Sequence, residues 1–175
     1  MHDCIKILFD CSYAKLFIFV CKAAAWCNVS VRVNKENLAR SFTKIILEPG
    51  RSLVGDSGIL TSEVVLTSRK NNTALTRWVY LDAGKFNGLI ETLDESIKYP
   101  VITTKDSPKE KEGEVIIAGP TCDSMDIMYE NAKYHLPVSL KAGDKVYWLS
   151  TGAYTSTYAS VAFNGFPPIK TYYMK

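Results

Sequence analysis

Four apolar runs rich in β-branched and aromatic residues, each cut short by turn residues, leave this chain little choice but a sheet. They are Ser57–Ser68, Arg77–Asp82, Glu114–Ala118 and Val146–Leu149. Runs of four to twelve residues, bounded by polar turns, are strand-length and too short for independent helices. Lys70-Asn71-Asn72 reads as a hairpin turn between the first two, and Ala142-Gly143-Asp144-Lys145 as a tight turn before the last. Lys105–Gly113 mixes both signs of charge and reads as a solvated loop. Almost no helical period is visible, so an all-β domain is expected. A fifth, shorter β-branched run, Thr43–Leu47, precedes it.

The ends of these strands carry the chemistry-bearing residues. Glu114–Ala118 runs into Gly119-Pro120, which breaks the strand, and then into Thr121-Cys122-Asp123-Ser124-Met125-Asp126. A thiol and two carboxylates thus fall within five residues, on the kind of strand-end loop where a rigid scaffold presents reactive groups. Glu48-Pro49-Gly50-Arg51 follows Thr43–Leu47. Gly50 lets a backbone approach a ligand closely. Arg51 offers a planar fork of donors suited to phosphate. Glu48 offers a carboxylate suited to a protonated ring nitrogen.

Bulk properties narrow the class. At 175 residues there is room for one domain, or one domain and a piece of another. A net charge of +3 without a dense basic patch is too small to suggest nucleic acid, and no nucleic-acid partner is expected. Five cysteines, an odd number at irregular spacing, do not form a disulfide framework. Cys4, Cys11, Cys21 and Cys27 are too loosely spaced for zinc, and only two histidines are present, so no metal site is expected. The reducing cytoplasm is the expected compartment.

Residues 1–41 are the least legible. Leu16–Val20 is apolar, Lys22 interrupts it, and Ala23-Ala24-Ala25-Trp26 resumes. The stretch is too short and too interrupted to cross a bilayer. Its apolar core is short for a secretory signal, and Asp3 and Asp10 lie upstream of it. Strands within Phe17–Val33 and a helical turn over Asn34–Arg40, capped by Asn34, are expected.

Taken in order and spacing, four short motifs resemble the C-terminal half of the fold-type III, pyridoxal-phosphate-dependent amino-acid decarboxylases, above all the ornithine and lysine/ornithine enzymes. They are Glu48-Pro49-Gly50-Arg51, Asp82-Ala83-Gly84-Lys85-Phe86, Gly119–Asp126, and Gly152-Ala153-Tyr154 with Phe163-Asn164-Gly165-Phe166. The resemblance covers residues 42–175. It implies the family's C-terminal β-barrel or sandwich domain, preceded at Thr43–Leu47 by a remnant of a truncated (β/α)8 barrel. Residues 1–41 stay unassigned. A full barrel takes ~250 residues, and only Trp26–Leu47 separate Lys22 from the Glu-Pro-Gly-Arg motif. Lys22, on a run faintly like the family's cofactor-lysine strand, is therefore not expected to hold the cofactor.

What the resemblance implies for individual residues is specific. Pyridoxal 5'-phosphate is the cofactor, not covalently held by this chain. Glu48 faces its ring nitrogen, Arg51 and Tyr154 meet its phosphate, Gly50 lets the backbone approach it, and Phe163 packs near it. Cys122 is the general acid that protonates the product carbon after CO2 leaves. Asp123 meets the distal ammonium of a diamino acid. A further acid on that ammonium falls at Glu95 by gap-free counting from Gly84, or at Asp94, since an Asp is usual there in eukaryotic members. Phe86 lies near a subunit interface. The family's sites form between subunits, so the expected partner is a lysine-bearing barrel subunit, in a homodimer or heterodimer, with no membrane involved. The implied activity is that of a truncated or split ornithine/lysine decarboxylase, inactive alone, on the route to putrescine or cadaverine and polyamines. The alternative is a non-catalytic regulatory module that pairs with a homologue. Arginine and diaminopimelate decarboxylases share some of the motifs.

Overall fold

The computed structural model describes residues 3–11, 14–22, 44–48, 50–71, 73 and 75–174. The expected helical turn over Asn34–Arg40 lies outside them, as do Cys27 and Pro49. The chain divides into two compact units, Met1–Gly55 and Asp56–Lys175.

The first unit holds a three-stranded antiparallel sheet in the order β2-β1-β3. Its strands are β1 (Asp3–Cys11), β2 (Ala14–Lys22) and β3 (Lys44–Glu48). Lys22 ends β2 opposite Asp3, and Glu48 ends β3 opposite Lys6. A barrel strand carrying a cofactor lysine has parallel neighbours, whereas the described neighbour of β2 runs antiparallel to it. One short helix follows, α1 (Arg51–Val54), with Arg51 buried.

The second unit is a curled seven-stranded sheet. Its strands are β4 (Ile59–Ser68), β5 (Arg77–Leu81), β6 (Val101–Thr103), β7 (Glu112–Ala118), β8 (Ile127–Met128), β9 (Tyr134–Pro137) and β10 (Lys145–Leu149). They run in the order β6-β10-β4-β5-β7-β8, with β9 also paired to β7. The strands read from sequence are β4, β5, β7 and β10, and Lys70-Asn71 sits in the link between antiparallel β4 and β5 as expected. Alternation decides which face is buried: Leu60, Ser62 and Val64 of β4 point inward, as do Val79 and Leu81 of β5, Val115 and Ile117 of β7, and Val146 and Trp148 of β10. Tyr129 and Tyr134 pack against Trp148, and Tyr99 joins the same core. Burying a side chain of this size contributes about 2–3 kcal/mol. The polar ends are satisfied: Trp148 Nε1 donates to Ser62 Oγ at 3.1 Å, and the Tyr129 hydroxyl donates to the Ile97 carbonyl at 2.8 Å. The buried Arg77 guanidinium donates to the carbonyls of Pro137 at 2.8 Å and Val138 at 3.0 Å, tying β9 to β5.

One pairing sets up everything that follows. β5 and β7 are parallel, with Tyr80 opposite Ala118, while every other ladder in this sheet is antiparallel. Parallel neighbours end at the same edge of a sheet. The loops after β5 and β7 therefore begin side by side.

Candidate functional site

The loop after β5 starts at Asp82, whose Oδ1 accepts from the Glu63 N–H at 2.7 Å and whose own N–H donates to the Glu63 carbonyl at 3.1 Å. Gly84 then opens a single wide turn, Lys85–Leu89, closed by Leu89 N–H donating to the Gly84 carbonyl at 3.1 Å. Asn87 caps it, its Oδ1 accepting from Gly84 N–H at 3.2 Å. A 3-10 stretch, Ile90–Glu95, follows.

The loop after β7 is wound around Asp126, which is 1% exposed. Its Oδ2 accepts from the Thr121 hydroxyl at 2.6 Å and the Thr121 N–H at 3.2 Å. Its Oδ1 reaches the neighbouring loop and accepts from the Lys85 N–H at 2.7 Å. Between Gly119 and Asp126 the chain presents Cys122 as an exposed free thiol, with φ at +57°. Asp123 Oδ1 accepts from the Met125 N–H at 2.8 Å, which caps the short turn Ser124–Asp126.

A third motif closes on these two. Phe163 stacks on Phe86 with ring centroids 4.1 Å apart. Asn164 Nδ2 donates to the Thr121 carbonyl at 2.7 Å, and Ser160 N–H donates to the Phe86 carbonyl at 2.8 Å. The structure thus brings Phe86, Cys122, Asp123 and Phe163 into one neighbourhood. Tyr154, with φ at +58°, lies against Tyr158 at 5.4 Å. Its segment is pinned where Gly152 passes the head of β4. A Cβ on Gly58 would stand 2.4 Å from the Gly152 Cα, so only glycine permits that approach. Glu48, Gly50 and Arg51 belong to the first unit, where Arg51 sits at the start of α1.

Asp94 and Glu95 take different parts. Both have left-handed backbones, φ +53° and +55°. The half-buried Glu95 carboxylate clamps a second loop: Oε1 accepts from Asn131 N–H at 2.7 Å and Oε2 from Ala132 N–H at 2.8 Å. Burial raises the Glu95 carboxyl, but these two amides, the Asn131 side chain and Lys98 together hold it below the usual carboxylate range. Asp94 is exposed. Together they line an open cavity of about 380 Å³ with Lys85, Ile127, Tyr129, Glu130 and Asn131. Burial pulls the Lys85 ammonium below its usual value, against the opposing pull of Asp126, Asp94, Glu130 and Glu95. Lys85 and Asp126 were not singled out from sequence. Asp126 carried a signal, being the second carboxylate of the Cys122 loop.

A sheet domain with an exposed thiol and a carboxylate on one strand-end loop, and a second acidic turn beside it, has groups that can attract a cation and donate a proton. Residues 11–152 match the family model described as the pyridoxal-dependent decarboxylase C-terminal sheet domain, and the chain belongs to that family. Pyridoxal phosphate is the family's cofactor. The match starts at residue 11 and so takes in most of the stretch before Thr43. The chain is 31% identical to a probable ornithine decarboxylase of Dictyostelium discoideum, over 83% of this chain and 34% of the relative. It is 37% identical to a diaminopimelate decarboxylase of Staphylococcus aureus, over 67% of this chain and 26% of the relative. It superposes on the crystal structure of a lysine/ornithine decarboxylase complexed with cadaverine from Vibrio vulnificus with a TM-score of 0.59, at 30% identity, over 69% of this chain and 31% of that one. The chain thus spans about a quarter to a third of the length of the relatives it matches. Among the described residues no helix is long and apolar enough to cross a membrane.

Proposed function

We propose that this chain supplies the sheet-domain share of a pyridoxal-phosphate-dependent decarboxylase acting on ornithine or lysine in the cytoplasm, and that a lysine-bearing barrel subunit completes its site. The observation that carries the reading is the convergence of Phe86, Cys122, Asp123 and Phe163 at the common edge of β5 and β7. The donor set fits the cofactor. The Arg51 guanidinium and the Tyr154 hydroxyl are suited to a phosphate dianion, and the Glu48 carboxylate to a protonated ring nitrogen. When bound, the cofactor supplies an electron sink for the bond that releases CO2.

The remaining steps belong to this chain's own side chains. Cys122, exposed at its turn, holds the proton destined for the product carbon. Asp123 and Asp94 meet the distal ammonium of a diamino acid, while Glu95, with both oxygens on backbone amides, holds the turn that presents Asp94. The cavity beside them is lined by three carboxylates, Asp94, Glu95 and Glu130, against one ammonium, Lys85, a net negative lining that favours a substrate ending in an ammonium over one ending in a second carboxylate, and so a diamine product. The residues proposed for the site are all drawn from 42–175.

The test is an assay of the 175-residue chain with ornithine and with lysine, plus cofactor, alone and after addition of a lysine-bearing barrel from a related decarboxylase. Turnover is expected only in the mixture. Cys122→Ala in the mixture should lower kcat by roughly 10²–10⁴-fold, as loss of a general acid does. It should also shift product from diamine toward the aldehyde, because a proton delivered to the wrong carbon leaves the nitrogen on the cofactor after hydrolysis. Turnover by the chain alone that Lys22→Ala abolishes would overturn the reading.

A further inference from the structure

We propose that Asp126 is the positioning residue of the proton-donating turn, fixing the backbone on both sides of Cys122 and coupling it to the loop that carries Phe86. The proposal rests on the reading of Cys122 as proton donor. Four sets of contacts support it. The Asp126 carboxylate holds Thr121, the residue before Cys122, by two bonds. The Asp126 N–H donates to the carbonyl of Asp123, the residue after it, at 2.9 Å, and the Asp126 carbonyl accepts from Gly119 N–H at 2.9 Å. The second carboxylate oxygen accepts from Lys85 N–H, one residue before Phe86. On the far side, Asn164 holds the Thr121 carbonyl.

Cys122 needs this restraint. A non-glycine residue at φ +57° persists only where its surroundings over-determine it. The slot also admits nothing but a carboxylate. Three donors converge on two oxygens, and an amide would turn an N–H₂ against one of them. Nor is there room to give way: a Cβ on Gly84 would stand 2.2 Å from Oδ1, and one on Gly119 2.3 Å from Oδ2. Asp126 therefore sets where the thiol points without touching substrate.

Two variants test this, Asp126→Asn and the milder Thr121→Val, which removes only the hydroxyl donor. In the isotope-labelled chain, amide exchange at Lys85 and Thr121 should quicken roughly tenfold or more in Asp126→Asn, the effect of losing one buried bond, while Val79 and Ile117 in the sheet stay unchanged. In the mixture with the barrel, kcat should fall with little change in KM, and the aldehyde fraction should rise toward that of Cys122→Ala. That fraction is independent of how much enzyme is folded, so a purely structural role does not move it. Thr121→Val should follow in the same direction, less far. Exchange rising equally across the sheet, or an unchanged aldehyde fraction in Asp126→Asn, overturns the proposal. If Cys122→Ala itself leaves the product unaltered, the proton-donor reading is what fails, and exchange at Lys85 and Thr121 still decides whether Asp126 holds the turn.

Discussion

Two carboxylates in this molecule do the same job in different surroundings. Asp126 and Glu95 each tie one loop to another by accepting backbone N–H groups, Asp126 from Lys85 and Thr121 and Glu95 from Asn131 and Ala132. Asp126 does so at 1% exposure between two glycines with no free space. Glu95 does so half-buried, at the rim of an open cavity. Water cannot replace a lost bond at the first and can at the second. Burial, more than the number of bonds, therefore sets how firmly each loop is held.

The largest break in this comparison should come from crowding the buried clamp. Gly119→Ala and Gly84→Ala each drive a methyl into the Asp126 carboxylate and should cost about 1–3 kcal/mol apiece, the range for overpacking. Urea denaturation would show this as a lower midpoint at unchanged slope; wild-type midpoints in both would dissolve the contrast. Asp126→Asn leaves one buried donor facing a donor and should cost about 1–3 kcal/mol. Glu95→Gln keeps one acceptor oxygen and admits water to the other amide, so its cost should stay at or below about 1 kcal/mol. A larger loss there than in Asp126→Asn would reverse the ranking.

The smallest effect is on pH dependence. Because the folded Glu95 carboxyl lies below its ordinary value, its contribution is fully present above the unfolded pKa of about 4.3. It is lost as the pH falls through the folded value. Glu95→Gln should remove that part of the acid sensitivity and leave stability near neutrality little changed. A titration of urea midpoints from pH 6 to pH 3 that is identical in both proteins would remove Glu95 as a charged clamp.

The legible parts of this fold were those whose signal is local. β4, β5, β7 and β10 announce themselves through alternating or continuous apolar runs. β6, β8 and β9 are three, two and four residues long, shorter than any period can register, and exist because longer neighbours supply their partners. β1 escaped notice because Asp3, Lys6 and Asp10 break up its apolar residues. At the site, Cys122, Asp123, Phe86 and Phe163 stood out through short motifs. Lys85 and Asp126, 41 residues apart in sequence, acquire their meaning only from the contact between them. The parallel pairing of β5 with β7 was equally out of reach, since nothing in a strand's own composition tells it which way its neighbour runs.

That pairing has a corollary for loop length. The two loops that build the site are anchored at Tyr80 and Ala118 by register, not by the chain between them. The mixed-charge stretch around Pro108 and Lys109 is exposed and lies within the crossover that joins the two strands. A longer or shorter stretch there would cost closure entropy that grows only as the logarithm of its length, and would leave the register of the two anchors as it is.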